Sequence, residues 1–149
     1  MVEPFPNYYN TSAYIFTKKG DKISKSVALR GTNQMTTEGK SVMRSGVFIR
    51  ADLAPVRIGQ FVMLLEDVII RPSYNKKKGK LKYAQMQIGE CVFVDRGCVL
   101  QAESIGNNVI IGKNCVVGQR SILKDNCKIQ DGSILAPDTV VPPYTVFGG

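Results

Sequence analysis

The chain has 149 residues, 44% of them hydrophobic and 21% charged, with a formal net charge of +8. That is the length of one domain with a real core, and the composition of a folded chain rather than a disordered one. There is no histidine, which excludes Ser-His and Cys-His nucleophile pairs, an imidazole general base and His-ligated zinc.

Residues 1–22 read as an extended, Tyr-rich lead-in. The opening Met1-Val2-Glu3-Pro4-Phe5-Pro6 has no basic patch followed by an apolar stretch, so a secretory signal is not expected. Ile23, Leu29 and Met35 stand six apart and suggest the first turns of a repeat. The register is open between residues 36 and 52. Ile58, Leu64 and Ile70 resume the spacing, with Val62 and Val68 as smaller residues between them. The apolar run Phe61–Leu65 ends at Glu66-Asp67, far short of the roughly 20 residues a membrane helix needs.

Between Ile70 and Ile88 lies Ser73-Tyr74-Asn75-Lys76-Lys77-Lys78-Gly79-Lys80, which cannot fill a core and reads as a projecting basic loop over residues 72–83. Lys76, Lys77, Lys78, Lys80 and Lys82 are five of the thirteen lysines. Two readings stay open for them: a solvated loop, or an electrostatic contact with an acidic partner such as a filament surface, an acidic peptide or an anionic membrane. Nucleic acid is not expected, because only Tyr74 and Tyr83 offer stacking surfaces and no binding motif accompanies them. The charge is uneven: residues 1–82 carry 15 basic and 6 acidic groups, residues 83–149 five and six.

From Ile88 onward the repeat is plain. Ile88, Val94 and Leu100 are six apart; after one five-residue step come Ile105, Ile111, Val117, Leu123, Ile129, Leu135, Val141 and Phe147. Four residues after the anchors stand small or β-branched residues: Val92, Cys98, Ser104, Val109, Cys115, Ser121, Cys127, Ser133, Thr139 and Thr145. Just before several of these come Gly97, Asn108, Asn114, Asn126, Gly132 and Asp138, residue types that tolerate a left-handed backbone. A period of six suits neither a helix nor a hairpin meander; it fits short strands joined by tight corners around a narrow core. Four cysteines without a CxxC pair, three of them in small inward slots, read as reduced core thiols.

The repeat resembles the hexapeptide-repeat family, whose members are left-handed parallel β-helices with about three hexads per turn. The resemblance implies an all-β, single-domain fold: a lead-in over 1–22, then a β-helix of about seven coils over 23–149, interrupted at 72–83. Hexapeptide acyltransferases use a His base, which this chain lacks. The stretch Arg50-Ala51-Asp52…Val56-Arg57-Ile58-Gly59 is similar to a segment of γ-class carbonic anhydrases. By that resemblance Arg71, Arg96 and Gln101 stand where those enzymes have their three zinc His. Two Arg and a Gln do not hold a divalent cation, so the resemblance implies a scaffold with no metal, no cofactor and no zinc-bridged trimer. Arg50, Asp52, Arg57, Cys98, Cys115 and Cys127 are expected to serve the scaffold.

More specific stretches are Ile49-Arg50-Ala51-Asp52-Leu53-Ala54-Pro55-Val56-Arg57-Ile58-Gly59, Val68-Ile69-Ile70-Arg71-Pro72, Asn10-Thr11-Ser12-Ala13-Tyr14-Ile15 and the ending Leu135-Ala136-Pro137-Asp138-Thr139-Val140-Val141-Pro142-Pro143-Tyr144-Thr145-Val146-Phe147. Together they resemble the dynactin subunit 5 family, whose members are expected to continue past the point matching Gly149. The resemblance implies a non-enzymatic subunit of the dynactin pointed-end complex in the cytoplasm and cytoskeleton. Its implied partners are dynactin subunit 6, dynactin subunit 4 and the pointed-end actin-related protein, with cargo adaptors beyond them. The rival readings are a small-molecule enzyme of the hexapeptide type and a degenerate scaffold in another assembly.

Overall fold

Each hexad supplies one short strand and one corner, and successive turns pair in parallel. The computed structural model describes residues 14–77 and 79–148 (of Lys77, the backbone only). They form an all-β parallel β-helix with three faces. The first face carries Lys22–Ser24, Val42–Met43, Met63–Leu64, Phe93–Val94, Ile110–Ile111, Lys128–Ile129 and Val146–Phe147. The second carries Ala28–Arg30, Phe48–Arg50, Ile69–Ile70, Val99–Leu100, Val116–Val117 and Ile134–Leu135. The third carries Met35–Thr37, Val56–Ile58, Met86–Ile88, Ser104–Ile105, Ile122–Leu123 and Val140–Val141. That is six complete turns and the first strand of a seventh, where the sequence leads one to expect about seven coils.

The aliphatic anchors stack in register inside the prism. Ile58 pairs with Ile88, Leu64 with Val94 and Ile70 with Leu100, and all of them are buried. Burying each such side chain is worth about 1.5–3 kcal/mol. The small slots are inward too: Cys98, Val109, Cys115, Ser121, Cys127 and Ser133 are all buried. Ser104 departs from this, as do Thr139 and Thr145 in the last turns, which are half-exposed. The five-residue step from Leu100 to Ile105 shortens one corner, so Ala102 fills the inward slot and Ser104 is half-exposed on the third face.

Departures from six fall at a single corner, between the second and third faces. There the step is eight residues in the first turn (Leu29 to Thr37), nine in the second (Ile49 to Ile58), eighteen in the third and five in the fourth. The inserted residues form a short 3-10 turn at Thr32–Gln34, the bend at residues 51–54, and a hairpin. This fixes the open register: Met43 and Ile49 are the anchors of residues 36–52, both fully buried.

The corners of regular length turn on left-handed residues. Gly97, Asn108, Asn114, Asn126, Gly132 and Asp138 all have positive φ, as do Lys40, Phe61, Asp67, Cys91, Arg120 and Tyr144. Their conformation is held by the neighbouring turn. The amides of Asn108, Asn114 and Asn126 donate to the carbonyls of Glu90, Arg96 and Asn107, each at 2.9 Å. Such residues tolerate the strain when surrounding bonds over-determine it.

Of the expected lead-in, residues 1–13 lie outside the described residues. Tyr14–Phe16 runs antiparallel to Lys22–Ser24 and covers the edge of the first turn. The connection hangs on Asp21, which is 3% exposed. Its Oδ2 accepts from Thr17 Oγ1 (3.0 Å) and Thr37 Oγ1 (2.7 Å), and its Oδ1 from the Ser41 amide (3.0 Å).

Candidate functional site

The basic segment of the third turn is an antiparallel hairpin, Tyr74–Lys77 with Lys80–Tyr83. Gly79, at φ 75°, helps the chain reverse at its tip, in open space. The rings of Tyr74 and Tyr83 meet edge to face at 5.8 Å at its base. Side chains alternate across the two faces. Asn75, Lys80 and Lys82 share one face with a concavity of about 410 Å³ lined also by Tyr83 and Ala84. Lys76 and Leu81 lie opposite each other on the other face. Lys78 lies outside the described residues. No carboxylate pairs with Lys76, Lys80 or Lys82 among the described residues.

The hairpin leans back along the helix. The Tyr74 amide donates to Gln119 Oε1 at 2.9 Å, and Arg120 Nη1 donates to the Tyr74 carbonyl at 2.7 Å. Arg120 also grips Asp138, one turn on, with Nε to Oδ1 at 2.8 Å and Nη2 to Oδ2 at 3.1 Å. That fork holds the Asp138 carboxyl below its usual range and raises the guanidinium. The shortened corner of the fourth turn lies between these anchors. Sequence reasoning missed Gln119, Arg120 and Asp138; the one available signal was the 18-residue separation of Arg120 from Asp138, which is one turn of the repeat.

Beside the hairpin runs a column of arginines. Arg30 is in register with Arg50, and Arg71 follows Ile70 on the next rung. Arg50 forks onto Asp52 at 3.0 Å through Nε and Nη2, which lowers the Asp52 carboxyl and raises Arg50. Arg30 lies over the Phe48 ring at 6.0 Å. Among the described residues the Nε of Arg71 is buried without a hydrogen-bond partner, as is Ser73 Oγ.

The three positions matched to zinc ligands divide between two corners. Arg71 and Gln101 stack on adjacent turns at the hairpin corner, where the Arg71 amide donates to the Leu100 carbonyl at 3.0 Å. Arg96 is exposed at the corner between the first and second faces, its amide on Asp95 Oδ1 at 2.8 Å. Within one chain they do not converge. Among the described residues no group of three or more His, Cys, Asp or Glu could hold a metal ion. Arg57 points out from the third face between Thr36 and Gln87.

The core thiols are inert by position. Cys98 Sγ donates to the Gly112 carbonyl at 2.9 Å and Cys115 Sγ to that of Gln130 at 3.0 Å. Burial pushes Cys98 up to about 12 and raises Cys115 and Cys127. Cys91 is exposed. The outward residues of the second face form an unbroken apolar ladder: Ala28, Phe48, Ile69, Val99, Val116 and Ile134. The arrangement is suited to holding anions at the hairpin corner and to packing flat surfaces against the second face.

A family model described as "Dynactin subunit 5" matches residues 4–149. A curated relative from Dictyostelium discoideum, named dynactin subunit 5, is 49% identical over 102 residues, 68% of this chain and 52% of the relative. The chain thus spans about half the length of the curated relative it matches. Among solved structures, a hexapeptide transferase family protein from Anaplasma phagocytophilum is similar with a TM-score of 0.60 and 15% identity, over 90% of this chain and 76% of that one. That likeness shows the fold, the left-handed β-helix of hexapeptide-repeat proteins.

Proposed function

The chain belongs to the dynactin subunit 5 family, and on that premise we propose that it is a non-enzymatic structural and interaction subunit of dynactin. Its place is the pointed-end complex, beside dynactin subunit 6, dynactin subunit 4 and the pointed-end actin-related protein, where it supports dynein-driven engagement of cargo and adaptors. Its location is then the cytoplasm and its cytoskeleton. The observation that carries this reading is the family match over residues 4–149.

Physical features support it. A stack of hydrogen-bonded turns around one continuous aliphatic core is a stiff prism, and its six-rung apolar ladder suits burial against a flat partner surface. The polar corner with Arg71 and Gln101 carries ligands that repel or ignore a cation. A transferase reading draws on fold likeness alone, and the chain has no histidine to serve as base. Gradient fractionation of cytosol tests the proposal. The chain is expected to co-sediment with dynactin; sedimentation wholly as the free chain would overturn it.

A further inference from the structure

We propose that the outer edge of the Lys80–Tyr83 strand is a β-strand addition site for an extended acidic segment of another protein. The inference rests on the hairpin and its surroundings and does not depend on membership of dynactin. It begins with register. Because the Tyr74 amide and carbonyl are engaged by Gln119 and Arg120, they point away from the partner strand, and Tyr74 and Tyr83 form a non-hydrogen-bonded pair. Alternation then makes Asn75–Lys82 and Lys77–Lys80 the hydrogen-bonded pairs and turns the amides and carbonyls of Leu81 and Tyr83 outward. The Tyr74 edge is held by the body of the protein; the Leu81 and Tyr83 groups accept and donate no bond among the described residues. A strand edge with unpaired groups is a template for another strand.

Charge selects the occupant. Lys80 and Lys82 stand exposed on one face of that strand, and like charges packed on one hairpin are destabilising until neutralised. The Tyr74 edge bonds the fifth turn, so the opposite, open edge lies on the side of the earlier turns, which carry Arg30 and Arg50. Arg30 and Arg71 in the arginine column make no direct ion pair among the described residues. Leu81, 53% exposed, supplies an apolar contact on the opposite face. The segment that fits is an extended one with Asp or Glu at alternate positions, facing Lys80 and Lys82, and apolar residues between them, facing Leu81 and Tyr83.

The test measures binding of the full chain to a fluorescent alternating Glu-Val octapeptide by anisotropy. Its controls are a sequence-scrambled peptide, oligoglutamate of equal charge, and the octapeptide N-methylated at alternate residues. The alternating peptide is expected to bind best. Lys80→Glu with Lys82→Glu should weaken it at least about tenfold, as loss and reversal of a charge-paired contact does. Leu81→Pro removes an outward amide that the hairpin itself does not use, and should weaken binding similarly; Lys76→Glu, on the other face, should change it little. Circular dichroism confirms that each variant folds. Equal binding of oligoglutamate or of the N-methylated peptide would overturn strand addition. Binding to phosphatidylserine vesicles with none to any peptide would overturn the proposal in favour of a membrane contact.

Discussion

The amide of Tyr74 donates to Oε1 of Gln119, 45 residues further along the chain, at 2.9 Å. This bond and its neighbour from Arg120 reach from the third turn across the fourth, so the basic hairpin is held to the prism at two points. Gln119→Ala together with Arg120→Ala is expected to speed exchange of the Tyr74 amide by tenfold or more, while global stability falls by only about 1–2 kcal/mol. Hydrogen exchange followed by NMR checks it; unchanged protection at Tyr74 would show that the latch does not hold the hairpin. In the same variant the Asp138 carboxyl should titrate closer to its ordinary range, because the fork that lowers it is gone.

Asp21 is the polar keystone of the first turn. Three donors converge on its buried carboxylate, so Asp21→Ala strands the Ser41 amide and two hydroxyls. A loss of about 3 kcal/mol is expected, seen as a lowered midpoint in urea unfolding. The Tyr14–Phe16 strand, which enters through this junction, should lose amide protection first.

Gly106 follows Ile105 because the next turn lies against it. A Cβ there would meet Asp125 Oδ1, the Asp125 amide at 2.8 Å and the Lys124 carbonyl carbon at 3.0 Å. Gly106→Ala should therefore cost about 2–3 kcal/mol. Removing the aspartate will not rescue it, since backbone atoms remain in the way. Asp125→Ala on its own should cost about 1 kcal/mol, the bond it accepts from the Asn107 amide at 2.8 Å. Thermal melts of both single variants and the double variant decide the point.

The thiols give a pH prediction. Cys98 is pushed up to about 12 in the fold from 9.0 for an ordinary thiol. A group raised in the folded state contributes its full stability below the unfolded value and loses it as pH climbs toward the folded one. Stability should thus hold up to about pH 9 and decline above it, more gently in Cys98→Ala once its packing loss is subtracted. Under native conditions one thiol, the exposed Cys91, should react rapidly with a disulfide reagent, and the other three only on unfolding.

Much of this architecture was legible in the order of residues. Inward anchors from Ile105 to Val141 obey a strict six-residue spacing because each must point into the same narrow core, and the corner residues Asn108, Asn114 and Asn126 betray their left-handed backbone by type. Residues 36–52 were opaque for a physical reason: eight- and nine-residue steps at the second-to-third corner break the spacing on both sides of Met43 and Ile49. Ser104 breaks the pattern of small inward residues because the five-residue step at that same corner puts Ala102 inward in its place. The hairpin's grip on Gln119, Arg120 and Asp138 left no periodic trace, since outward polar groups at a corner are free of the core's demands. Lys76 and Lys80 looked like one cluster in sequence, yet alternation along the strands sends them to opposite faces.

Affinity purification of the tagged chain from its own cells, with quantitative identification of co-purifying proteins, tests the central claim that this β-helix serves as a dynactin subunit. Dynactin subunits in stoichiometric yield are the predicted result. Recovery of the folded chain with none of them would contradict it.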